Sequence, residues 1–371
     1  MTSSPRVLIF SERNAELRKW QAWQYEFEDV IAAVDEVNLL APPARPSTRL
    51  TRLSNRVRRA TGHPERYTEP AIQATTVRGE YRLFFAVFSG VSDIPHLLRL
   101  RQWRERCEKA VCLITELLTH QIAESTPYLE LLRQFEFDRV FLPNPRPKDA
   151  VARIAACNAE FMPFAVDAFR FSPYPHPPPR VVDFYQFGRR SPVTHASALK
   201  MAQSDRAFYI YDTIFNVPLP DHRPHRRMIA EIMKRSRYFF AYKPSEDVER
   251  SREDDPLAAR YFEGVGGGAI LLGSAPSTPE YEQCFGWPDS TIEIPFDADN
   301  LSEVVAELEA DPERLARART TNIVETLRRH DWVDRWAEIL EAVGLAPTSR
   351  MAERAERLEE LRKMAERREP A

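Results

Sequence analysis

Cysteine is scarce. Only Cys107, Cys112, Cys157 and Cys284 occur among 371 residues, and no two of them form a CxxC pair. That number and spacing exclude a disulfide framework and argue against a structural zinc site. Long apolar runs are missing too: the longest, near Leu83–Phe88, is far shorter than the roughly 18–20 residues that cross a bilayer as a helix. Residues 1–5 are polar and the next apolar run is only VLIF, so no signal peptide is read there. A reduced, cytoplasmic protein is expected. Neither sign of charge dominates, with 52 Lys and Arg against 55 Asp and Glu and a net charge of −3. This excludes a grossly basic nucleic-acid binder, though not a local patch. Glycine is sparse as well: the chain has 11, and Gly264, Gly266, Gly267, Gly268 and Gly273 all fall in ARYFEGVGGGAILLGS, 259–274. Glycine is placed where backbone must turn sharply or come close to something.

What is present reads as a soluble α/β protein, 43% hydrophobic and 29% charged. Its length suits two domains of roughly 150–200 residues. RVLIF (6–10), RLFFAVF (82–88), AVCLIT (110–115) and RVFLP (139–143) are continuous apolar runs, as in strands buried on both faces of a parallel sheet. Helical spacing is read between them over 94–109 and 126–137. The pattern restarts with VVDFYQFG (181–188), RAFYIYD (206–212), RYFFAYK (237–243), GAILLG (268–273) and TIEIPF (291–296), with a helix over 224–236. FSPYPHPPPR (171–180) holds five prolines and reads as a linker.

Two segments stand apart. Residues 41–70 carry seven arginines against two glutamates, and 47–60 reads as a basic helix with Leu50, Leu53 and Val57 on one face. Such a helix suits an anionic membrane surface or an anionic acceptor; a solvated insert is the alternative. The end, 351–369, reads as a charged helix with Met351, Ala355, Leu358, Leu361 and Met364 near heptad spacing, too short for a coiled coil.

In the 259–274 stretch a helix is expected to start near Asp254–Asp255–Pro256, since Asp caps helices and Pro suits their first turn. It ends at the glycines, which lead into the strand AILLG. The order helix, glycines, strand is not a dinucleotide fingerprint, which follows a strand and opens a helix. Two readings remain: a glutamate beside a backbone platform for a ligand, or a tightly packed turn.

RYFEGVGGGAILLG resembles the donor-site segment of GT-B glycosyltransferases of the group 1, family 4-like type, and of their CgeB-like members. FMPFAVDAFRFSP (161–173), FGRRSP (187–192) and HDWVDRWAEIL (330–340) are similar, in register, to that family's domain-junction turn, first donor-domain turn and returning final helix. The resemblance implies a GT-B fold, with two Rossmann-like domains of parallel sheet facing a central cleft and a C-terminal helix crossing back. The divisions it implies are 1–170 (acceptor side, with the 41–70 insert), a 171–180 linker, 181–330 (nucleotide-sugar domain), a 331–346 crossover helix and a 347–371 charged helix. It implies transfer of a sugar from a nucleotide-diphosphate sugar, retaining and metal-independent, with no other cofactor.

In that reading Glu263 accepts ribose hydroxyls. Asp255 and Gly264, Gly266, Gly267 and Gly268 line the donor, while Arg189, Arg190 and Lys243 stabilise the departing diphosphate. Glu116 and His120, and less so Glu12, are acceptor-side candidates at the ends of first-domain strands. The sequence departs from the family pattern at Asp255, where a glutamate is usual, and at His195, near the place of a usual lysine. The acceptor is unnamed, with anionic and lipid-linked molecules fitting the basic insert and a peripheral membrane contact through 47–60. A catalytically silent glycosyltransferase-like partner protein and a GT-B sugar epimerase remain as alternatives. A dinucleotide oxidoreductase is disfavoured because neither half opens with a glycine-rich strand–turn–helix.

Overall fold

A computed structural model describes residues 5–15, 19–44, 72–204, 206–213, 219, 221–246 and 253–367. The basic helix expected over 47–60 lies outside the described residues. The chain divides into two units. Unit 1 comprises the described residues up to Pro163, with Leu219 and Trp336–Thr348; unit 2 comprises the described residues within 164–213, 221–335 and 349–367.

In unit 1 the strands are β1 (Val7–Phe10), β2 (Val37–Leu40), β3 (Thr75–Thr76), β4 (Tyr81–Gly90), β5 (Leu100–Arg101), β6 (Cys107–Glu116), β7 (Arg139–Leu142) and β8 (Asn158–Phe161). Six of them form a parallel sheet in the order β2-β1-β4-β6-β7-β8, and β3 pairs with β5. Parallel strands covered on both faces need apolar residues throughout, which is why β1 and most of β4 and β6 are buried without alternation. The helix expected over 94–109 is not there. A 3-10 helix, Val91–Arg99, leads into β5, and β6 has already begun at Cys107. Ile94, Leu97, Leu100 and Trp103 are buried and recur every third residue, the period of a 3-10 rather than an α-helix. Trp103 packs on Phe84, with ring centroids 4.1 Å apart.

Unit 2 holds β9 (Val182–Gln186), β10 (Tyr209–Tyr211), β11 (Ser236–Ala241), β12 (Ile270–Gly273) and β13 (Ile292–Glu293), parallel in the order β10-β9-β11-β12-β13. The strand order reverses at β9 and β11, and α/β sheets take ligands beyond the C-terminal ends of strands at such a point. Unit 2 begins at Phe164, ahead of the proline-rich segment. Val166 exchanges backbone hydrogen bonds with His330 (3.0 Å) and Trp332 (3.1 Å), and the Ala168 N–H reaches Asp331 at 2.9 Å. These bonds hold the segment to unit 2 before the prolines are reached.

The chain rejoins unit 1 at Trp336, within the helix Trp332–Ala342. The Trp336 indole donates to Asp35 (2.9 Å), which also takes both arms of Arg6 at 2.7 and 2.8 Å. The last helix, Ser349–Arg367, belongs to unit 2. Its buried face is Met351, Arg354, Leu358 and Ala365, whereas Ala355 and Met364 are exposed. The heptad reading placed that face differently because it could not include an arginine. Arg354 is drawn inward by Asp331 (2.8 and 2.7 Å) and Asp167 (2.7 Å).

His330 adds a pH dependence. It is buried against Phe262 and Phe285, its Nε2–H donates to the Cys284 carbonyl (2.9 Å), and Nδ1 faces Arg335 at 3.4 Å. Burial first, and the Arg335 charge second, push its pKa down to about 3. The unfolded chain therefore binds a proton below pH 6.5 that the folded chain refuses, so this contribution is full above 6.5 and is lost as pH falls toward about 3. Between pH 6.5 and about pH 5 the loss is about 2 kcal/mol. Urea midpoints of wild type and His330→Asn should converge on acidification; parallel curves would contradict this assignment.

Candidate functional site

The C-terminal edge of the unit 2 sheet is built around the turn after β9. Gly188 has φ +77, and a Cβ there would lie 2.7 Å from an Arg260 guanidinium nitrogen. The turn therefore needs glycine on two counts, handedness and the arginine beneath it. Asp212, just past β10, accepts the Gly188 N–H (3.3 Å) and an Arg190 N–H (2.7 Å). Arg190 also donates to the Asp212 carbonyl (2.7 Å) and lies over the Tyr211 ring at 5.0 Å. Ser191 then caps the helix Pro192–Gln203 by accepting the Val193 and Thr194 N–H groups, each at 3.2 Å. Proline at the first helical position completes a well-formed helix start. His195, on this helix, bonds Tyr209 through Nδ1 (2.8 Å), and its pKa is lowered by burial and by Arg190.

Arg260 is the residue that sequence reasoning passed over, although it is the first residue of the RYFEGVGGGAILLG stretch. It opens the helix Ala259–Gly266. Among the described residues it makes one side-chain hydrogen bond, to the Phe187 carbonyl (3.3 Å), and no ion pair. Burial and the nearby charge of Arg189 lower its pKa, so a second cation stands beside it.

Lys243 follows β11, with its Nζ 3.5 Å from Asp255 Oδ2. The helix expected to begin at Asp254–Asp255–Pro256 begins at Ala259 instead. Asp255 stands in a turn at φ +40, a backbone state that Asp tolerates better than most residues, and accepts the Ser277 N–H at 3.1 Å. Glu263 lies one turn past Arg260 and is 5% exposed. Its Oε1 is bonded to Arg226 from the helix His222–Arg235, itself buried and stacked 5.0 Å over Phe171. Among the described residues Arg226 is the only partner of the Glu263 carboxylate.

The structure thus brings Arg189 near Arg260 and Lys243 against Asp255, and sets Glu263 within electrostatic reach of Arg260.

It does not bring the glycines there. Gly267 and Gly268 lie at the opposite edge, where Arg180 donates to the carbonyls of Gly267 (3.0 Å) and Ser236, the first residue of β11 (2.6 Å). A Cβ would meet Leu271 at 2.3 Å from Gly264, Phe171 at 3.2 Å from Gly266 and Met233 at 2.5 Å from Gly267. Gly268 ends the helix at φ +69. Close packing against the sheet (Gly264), the chain around Phe171 (Gly266) and the helix His222–Arg235 (Gly267), and a left-handed helix end (Gly268), account for the four.

In unit 1, Glu116 ends β6 and His120 lies in the 3-10 turn Thr119–Gln121. Both are exposed, and among the described residues neither makes a side-chain hydrogen bond or ion pair. Glu12, by contrast, is buried beyond β1 and bonded to His96. His96 gave no sequence signal beyond its place after a strand. Among the described residues no helix is long and apolar enough to cross a membrane.

A family model described as glycosyl transferase-like matches residues 195–341. Among solved structures, HepE of Anabaena in complex with UDP and glucose is similar at 11% identity and a TM-score of 0.52, over 92% of this chain and 99% of that one. An alpha-glucosyltransferase in complex with UDP and a 13-mer DNA containing an HMU base gives 11% identity and a TM-score of 0.49, over 92% of this chain and 100% of that one. No curated protein matches by sequence. The likeness to HepE shows the fold, and the chain has the parallel α/β architecture of GT-B proteins.

Proposed function

We propose that this chain is a glycosyltransferase that takes a sugar from a nucleoside diphosphate sugar bound at the C-terminal edge of unit 2. The match to a glycosyl transferase-like family over 195–341 supports it, as does UDP in the HepE structure, which makes a UDP-sugar the first donor to test. The observation that carries the reading is Arg260, a guanidinium with no ion pair among the described residues, beside Arg189 and beneath the Gly188 turn.

In the reaction the bond from the sugar C1 to the diphosphate oxygen breaks and its electron pair leaves with the diphosphate. Arg260, Arg189 and Lys243 stabilise that growing charge from fixed positions. The acceptor hydroxyl oxygen bonds to C1 on the face that the diphosphate leaves, which retains configuration, and its proton passes to the departing phosphate, so that no metal is needed at the donor. Glu263, with Oε1 held by Arg226, offers Oε2 to the ribose hydroxyls.

Incubation with UDP-, GDP-, dTDP- and ADP-sugars, water serving as acceptor, should release the diphosphate of one nucleotide class. A protein that binds a nucleotide and releases nothing is the silent partner instead, a reading favoured by the pairing of Lys243 with Asp255. Neither binding nor release with any donor would overturn both.

A further inference from the structure

The N-terminal edge of the unit 2 sheet, opposite Arg260, carries two arginines without acids. Arg180 precedes β9, and its guanidinium donates to the carbonyls of Ser236 at 2.6 Å and Gly267 at 3.0 Å. These bonds use only part of its donor capacity. A Cβ on Gly268 would meet Arg180 Nη2 and Ile323 Cδ1, each at 2.6 Å, so guanidinium and isoleucine converge on one point. Ile323 belongs to the helix Pro312–Arg329, and Arg319 stands one turn before it on the same face. Among the described residues Arg319 makes no side-chain hydrogen bond and no ion pair, and its Nε is buried without a partner.

Two carboxylates of this edge, Asp183 and Glu309, are bonded to Arg237 instead, at 3.0 and 2.6 Å. Among the described residues neither Arg180 nor Arg319 is bonded to a carboxylate. The two cations feel each other. Burial first, and the Arg319 charge second, push the Arg180 pKa down to about 9, with Tyr174 opposing. Burial also lowers that of Arg319; Tyr238 and Glu309 oppose the shift and Arg237 adds to it. Cations withdrawn from water without an acid require an anion. Both residues are only half-buried, so an anion from solvent can reach them.

We propose that Arg180 and Arg319 hold a phosphate-type oxyanion at this edge, either the free ion or the phosphate of a small ester. Guanidinium forks meet tetrahedral oxyanions through paired N–H bonds, and two of them match a dianion. A single carboxylate would balance only one. With the anion in place, the repulsion between the arginines is replaced by a shared attraction. The site lies at the opposite edge of the sheet from Arg260 and does not depend on glycosyl transfer.

Thermal unfolding of the full chain in inorganic phosphate, in glycerol 3-phosphate and in chloride of matched ionic strength tests this, with calorimetric titration of the two phosphates. The wild type should melt higher in millimolar phosphate than in chloride, since a ligand that binds only the folded form stabilises it. Arg319→Gln gives up no side-chain hydrogen bond among the described residues, so without phosphate it should melt no lower than the wild type. It should bind phosphate at least about tenfold more weakly, the loss of a charge-assisted hydrogen bond. Arg180→Lys, which keeps the charge but not the fork, should also bind more weakly. Arg260→Ala should bind as the wild type does, which separates this edge from the other. Tighter binding of glycerol 3-phosphate than of phosphate supports the site as one for an ester, and the reverse supports the free ion. No stabilisation beyond that in chloride overturns the proposal. So does equal binding by wild type and Arg319→Gln, or binding lost in Arg260→Ala and kept in Arg319→Gln.

Discussion

Arg260→Ala should lower kcat for donor cleavage by roughly 10²–10³-fold while leaving the chain folded, the loss seen when one preorganised donor to a developing oxyanion is removed. Arg260 gives up one hydrogen bond, to the Phe187 carbonyl, and no ion pair among the described residues. Burial already disfavours its charge and Arg189 opposes it. Its removal should therefore relieve as much as it costs the free protein, and the melting temperature should change little. With a diphosphate in place the balance reverses, because two adjacent cations then share one dianion. Arg260→Lys should recover only part of the rate, since an ammonium cannot present the planar fork. A variant with normal turnover would remove Arg260 from the chemistry; a variant that merely unfolds would give Arg260 a structural role instead.

Glu263→Ala should be among the most destabilising single changes in unit 2. Its carboxylate is 7% and the Arg226 side chain 3% exposed, so truncation takes from a buried guanidinium the carboxylate it bonds. Breaking such a pair costs about 3–5 kcal/mol, which for a unit of this size corresponds to a fall of roughly 10 °C in melting temperature. The double variant Arg226→Met with Glu263→Leu should regain most of that, because two apolar groups of similar size need no compensation. If the double variant melts as low as the single one, the two residues do not act as a pair. This expectation also decides how the ribose contact is probed. Glu263→Gln preserves size and an acceptor oxygen facing Arg226, so lost nucleotide affinity in that variant can be separated from lost folding.

Much of the architecture was legible because parallel strands must be apolar on both faces. RVLIF, AVCLIT and GAILLG announce themselves in that way. β2 and β8 did not, since VNLL and NAEF are only partly buried and carry polar residues. The 94–109 stretch misled because a three-residue period of apolar side chains looks helical until Pro95 and the 3-10 geometry are seen. In the site, glycine density in 259–274 drew attention to the wrong end of its helix. What glycines approach there is Leu271, Phe171 and Met233, and a sequence does not say whether a close neighbour is ligand or core. The ionic partners of Glu263 and Glu12 were invisible for a related reason: Arg226 lies 37 and His96 84 residues away. Only the fold brings them together.

The most direct test of the account is a calorimetric titration of UDP, GDP, dTDP and ADP into the wild-type chain and Arg260→Ala. One nucleoside diphosphate should bind the wild type with one site per chain, and the same ligand should bind Arg260→Ala at least about tenfold more weakly, a difference of 1.4 kcal/mol. Binding of none of them to folded wild-type protein, or binding of equal strength to both proteins, would contradict the claim that the C-terminal edge of unit 2 holds a nucleoside diphosphate through Arg260.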